Sequence, residues 1–77
     1  MYTTHSKKAG QQWQWEGKQF DVLAKAIIHA HALVLSNNAT YSMIEKPQEI
    51  SSNKPNLTIR IYGAIPGGIE VIQTNNS

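Results

Sequence analysis

At 77 residues the chain forms one domain at most, and a domain this small buries only about 60% of its unfolded surface. It has no cysteine, which excludes disulfides, thiolate metal sites, iron–sulfur clusters and cysteine nucleophiles, and leaves packing or self-association as sources of stability. Its net charge of +2 comes from Lys7, Lys8, Lys18 and Lys25 set against Glu16 and Asp21 in residues 1–25, while the remainder is balanced. That falls short of the clustered basic patch of a dedicated nucleic-acid binder, and Arg60, the only arginine, leaves little for bidentate base readout.

Residues 1–10 end in Gly10 and read either as a flexible basic arm or as a weak first strand, Tyr-Thr-Thr-His-Ser. The stretch Gln12-Trp13-Gln14-Trp15-Glu16 alternates strictly, as a half-buried strand does, with both tryptophans on one face. Gly17-Lys18 is expected to break it, and Asp21 is placed to cap a following helix. Val22 to Ser36 has helical spacing, and Asn37-Asn38 suits a left-handed terminus. Ala39 to Glu45 alternates again, and a polar connection from Lys46 to Asn56 separates it from Leu57 to Tyr62, the clearest strand in the chain. Ile65-Pro66-Gly67-Gly68 carries proline and glycine where a type II turn prefers them, and Ile69 to Gln73 returns antiparallel. The expected fold is α+β: one amphipathic helix on one face of a mainly antiparallel sheet of three to five strands, in the order (β)-β-α-β-β-β. Residues 11–73 form the domain and 74–77 a tail.

The run Ala-Ile-Ile-His-Ala-His-Ala-Leu-Val-Leu, residues 26–35, holds two histidines. On a helix, His29 and His31 point in nearly opposite directions, whereas helical metal pairs need i,i+4 spacing, so no metal site is expected. His29 reads as solvated. His31 lies near the centre of the apolar face formed by Leu23, Ala24, Ile27, Ala30, Val34 and Leu35, and reads first as a hydrogen-bonded core histidine. The competing readings place it at an interface or in a pocket. On the core reading, His31→Leu leaves the fold intact and removes much of its acid sensitivity. Ala26, Ile28, Ala30 and Leu33 widen the apolar arc to roughly 200°, more than one sheet face covers. Either the connection 46–56 folds over the excess or a homodimer does, with Ile28, Ala30, His31, Leu33 and Leu35 as its interface.

Trp13 and Trp15 have two readings. They fill the core beneath the helix, or they face outward with Lys18 and Tyr41 as an aromatic patch that grips a partner. On the clearest strand, Thr58, Arg60 and Tyr62 face away from the apolar Leu57, Ile59 and Ile61, which adds Arg60 and Tyr62 to the partner-binding candidates. The glycines of 63–68 join two strands, so they make a hairpin rather than a phosphate loop.

No enzyme is expected. Asp21 is the only aspartate and is used as a cap, the glutamates stand apart, and nucleophile elbows, Walker loops and zinc patterns are missing. No cofactor follows. The N-terminal residues lack the apolar core of a signal peptide, and the longest apolar run is shorter than the roughly 20 residues that span a bilayer, so a cytoplasmic protein with no membrane contact is expected. The sequons at Asn38 and Asn56 then carry no meaning.

The leading expectation is a homodimeric, non-catalytic protein-binding module, a regulator or inhibitor. One arginine against six lysines, with abundant isoleucine and asparagine, suggests the AT-rich genomes of phages and mobile elements. The alternatives are a weak, non-sequence-specific nucleic-acid binder using Lys7, Lys8, Lys18, Lys25 and Arg60 around the tryptophans, and a small-ligand binder at a dimer seam near His31.

Overall fold

The computed structural model describes residues 1–36, 38–46 and 57–75. Strand β1 spans Tyr2–Lys7, β2 Gln14–Phe20, helix α1 Leu23–Leu35, β3 Tyr41–Lys46, β4 Leu57–Ile65 and β5 Gly68–Thr74. The strands form one antiparallel sheet in the order β2-β1-β3-β4-β5, and α1 packs on one face of it. This is the α+β architecture the sequence leads one to expect. Residues 2–7 are an interior strand rather than an arm: β1 pairs with β2 on one side and with β3 on the other. Thr74, assigned to the tail from sequence, closes β5 opposite Arg60, and the Asn75 amide donates to the Ile59 carbonyl at 3.0 Å.

The strands run longer than the alternation suggests. β2 starts later, at Gln14, and continues through Gly17 to Phe20. Gly17 has φ of +75°, a conformation open to glycine, and the β1–β2 register shifts nearby, so the expected break becomes a bulge within the strand. At the β4–β5 hairpin, Gly67 has φ of +92°, as the third residue of a type II turn requires.

Helix α1 is rich in alanine and leucine, which lose little on becoming helical. Its N-cap is Val22, in extended conformation, which has no side-chain acceptor to offer. Asp21 instead reaches Lys25 at 3.5 Å, an exposed i,i+4 pair. At the far end the Ser36 amide donates to the Ala32 carbonyl and its hydroxyl to the Leu33 carbonyl. Asn37, half of the expected left-handed terminus, lies outside the described residues, as do residues 47–56 of the connection expected to cover the helix.

The core is built large against small. Ala26 and Ala30 are fully buried, so the helix backbone comes close to the sheet, and Ile44 and Tyr62 supply the bulk beneath them. Tyr2, Phe20, Leu23, Ile27 and Ile69 close the periphery. The buried stripe therefore runs through Leu23, Ala26, Ile27, Ala30 and Val34, while Ala24 and Leu35, expected on it, are exposed. The expected faces of β4 are also reversed, since Tyr62 is 2% exposed and Arg60 lies on the helix side opposite Ile44. The cause is twofold. Register shifts on both flanks of β4 break its simple alternation, and the paired alanines leave room that the Tyr62 ring fills.

Both histidines of α1 differ from expectation. The His31 ring packs at right angles against Tyr62, centroids 4.6 Å apart, but its Nε2 has no hydrogen-bond partner among the described residues. His29, expected in solvent, is half-buried against Phe20 at 5.4 Å with its Nε2 also unpartnered. Burial lowers the His29 pKa below its ordinary 6.5, with the nearby Lys18 adding to the effect and Glu16 opposing it. A base whose pKa falls on folding binds its proton more readily when unfolded. Its contribution to stability is therefore complete above pH 6.5 and drains away as pH falls below that value. Melting temperatures at pH 7.5 and 5.5 should show the protein less stable at the lower pH, and His29→Gln should narrow the gap. An unchanged gap would show that the acid sensitivity resides elsewhere.

Candidate functional site: an aromatic groove on the second sheet face

On the sheet face away from α1, register places one row of residues side by side. Lys7 lies opposite Tyr41, Tyr41 opposite Gly63, and Gly63 opposite Glu70. The adjacent row runs His5, Met43, Ile61, Gln73. Trp13, just ahead of β2, joins Lys7, Tyr41, Ile61 and Ile72 to line a shallow groove of about 280 Å³. The Lys7 ammonium stands 5.6 Å from the ring centre of both Trp13 and Tyr41, within cation–π range of each.

Gly63 lets two of the lining side chains, Tyr41 and Ile72, come together. A Cβ at that position would lie 3.2 Å from Ile72 Cγ2 and 3.3 Å from the Tyr41 ring, closer than either normally tolerates. With no side chain there, Tyr41 and Ile72 close over bare backbone, which is the role a glycine inside a strand commonly marks.

Beside the groove, Trp15 pairs with His5 and is 59% exposed. His5 Nε2 lies 3.9 Å from the Glu45 carboxylate, with both side chains about one-fifth exposed, and Thr58 donates to the Met43 sulfur. Among the described residues no three histidine or acidic side chains come together as a metal would require.

No family model, curated protein or solved structure matches this chain. The site therefore rests on its own geometry.

Of the six partner-binding candidates, the structure brings Trp13, Trp15 and Tyr41 to this face, which overturns the reading of the tryptophans as core beneath the helix. Lys18, on the other side beside His29, and Arg60 are not part of the groove. Tyr62 is a core residue, with the Arg60 guanidinium 3.5 Å from its hydroxyl. The basic set also disperses: of Lys7, Lys8, Lys18, Lys25 and Arg60, only Lys7 lines the groove. The five dimer candidates separate as well. Ala30 is fully buried against the sheet, His31 packs on Tyr62 and Leu33 is half-buried, while Ile28 and Leu35 stand 70% and 64% exposed on the outer side of the helix.

Sequence reasoning missed Gly63, Ile61 and Ile72 as parts of the site. Gly63 carried a usable signal, a lone glycine between β-formers, but its neighbours in 63–68 made it look like part of the turn.

Proposed function

We propose that this protein is a non-catalytic binding module whose groove on the second sheet face takes an apolar side chain of a protein partner. The observation that carries this reading is the groove itself, lined by two aromatic rings and two branched aliphatic residues, with one ammonium near both rings. Tryptophan and tyrosine are enriched at protein-binding hot spots. Glu70, at the end of the groove row, and Glu45 on the same face would repel a phosphate backbone, and among the described residues Lys7 is the one basic side chain that lines the groove. The module would act as a regulator or inhibitor. A cytoplasmic setting fits its lack of cysteine, and no described helix is long and apolar enough to cross a membrane.

The test uses a photo-reactive amino acid at position 15, beside the groove, and at position 25, on the helix, in cells that express the protein. One discrete adduct with a different protein from position 15, lost on Trp13→Ala or Tyr41→Ala, and no adduct with a different protein from position 25, is the expected result. Binding to mixed DNA or RNA oligomers that collapses between 50 and 200 mM salt would overturn it in favour of phosphate recognition.

A further inference from the structure

The outer side of α1 is unlike a solvated helix surface. The helix, Leu-Ala-Lys-Ala-Ile-Ile-His-Ala-His-Ala-Leu-Val-Leu, carries one charged residue, Lys25, and that charge is paired within its own chain to Asp21. At about 100° per residue, Ala24, Ile28, Ala32 and Leu35 fall within about 80° of arc. All four are exposed, Ile28 by 70% and Leu35 by 64%.

From this stripe we infer that the protein self-associates through α1, with two copies packing antiparallel, helix on helix. The stripe is complementary to itself. When two such helices cross antiparallel about the level of Ala30, Ile28 of each copy meets Ala32 of the other, and Leu35 of each meets Ala24. Every large side chain then has a small one facing it, which lets the backbones approach while the ridges interlock. The two Lys25 residues lie at opposite ends, about 15 Å apart along the axis, so no like charges meet.

Other occupants fit less well. Residues 47–56, Pro-Gln-Glu-Ile-Ser-Ser-Asn-Lys-Pro-Asn, contain a single large apolar residue, Ile50, to set against the two exposed on the helix. A foreign partner would have to match a pattern that a second copy matches by symmetry. A patch with two large exposed apolar side chains per copy is small for a specific interface and sets the expectation of a weak, reversible dimer. The groove, on the opposite face of the sheet, stays open in this arrangement.

Sedimentation of the full chain between 1 µM and 1 mM tests the inference, using concentrations of the order at which weak dimers exchange. The expected result is a monomer–dimer equilibrium that Ala32→Glu weakens at least about tenfold, since the substitution sets a carboxylate against the apolar Ile28 of the other copy. Glutamate is a good helix former at an exposed site, so the circular dichroism of the variant should match the parent. Val71→Lys, on the exposed edge strand β5, should leave the dimer unchanged. A chain that stays monomeric at 1 mM overturns the inference. So does a dimer that survives Ala32→Glu, or one that Val71→Lys abolishes, which would place the contact at the sheet edge.

Discussion

Replacing Tyr62 by alanine should cost about 3–5 kcal/mol, the usual range for deleting a large buried aromatic ring. The ring is 2% exposed, sits beneath Ala26 and Ala30 beside Ile44, and takes the edge of His31. The helix residues directly above it, Ala26 and Ala30, are too short to fill the space it would leave. A domain of this length is stable by only about 4–12 kcal/mol, so one substitution removes a large part of the total. Urea denaturation should show a large drop in midpoint for Tyr62→Ala. Tyr62→Phe, which keeps the ring and loses only the long contact to Arg60, should change it little. A wild-type midpoint for Tyr62→Ala would mean that the ring acts at the surface, as the sequence pattern alone suggests.

Removal of residues 1–7 should abolish cooperative folding altogether. Among the described residues β1 is the one strand joining β2 to the rest of the sheet, and it supplies Thr4 and Ser6 to the helix side and Lys7 to the groove. Without it, β2 loses its only partner and β3 exposes an unpaired edge along its whole length. Thr4→Pro makes the same test with one atom group. Thr4 is fully buried in the middle of this interior strand, opposite Ile44 of β3, a place where sheets do not accommodate proline. Both variants should give collapsed amide dispersion by NMR. A sharp thermal transition near the parental temperature would restore the picture of residues 1–10 as an arm.

The fold was legible in the sequence because each element announces itself locally. The Pro-Gly turn, the helical spacing after Asp21 and the β-branched runs each fix a segment without reference to the others. The faces were less legible. Alternation predicts that Leu57, Ile59 and Ile61 point inward together, but register shifts on both sides of β4 are produced by pairing with β3 and β5, which no single strand encodes. The tryptophans illustrate the same limit. Their spacing puts them on one face, and only the position of the helix decides which face that is. Polar segments mislead in a similar way: Tyr-Thr-Thr-His-Ser-Lys looks soluble, yet its threonines and serine are small enough to be buried in the centre of the sheet.

A sheet one layer thick makes core and groove residues neighbours in the chain. Tyr62 under the helix is followed by Gly63 under the groove, Tyr41 in the groove by Ser42 beneath the helix, and Ser6 by Lys7. Evolution of a new partner preference in this protein is therefore constrained from behind, because each position that could retune recognition is bonded to one that holds the molecule together. Changes would be accepted singly and at side chains. Insertions in β1, β3 or β4 would be purged, since a one-residue slip exchanges the two faces.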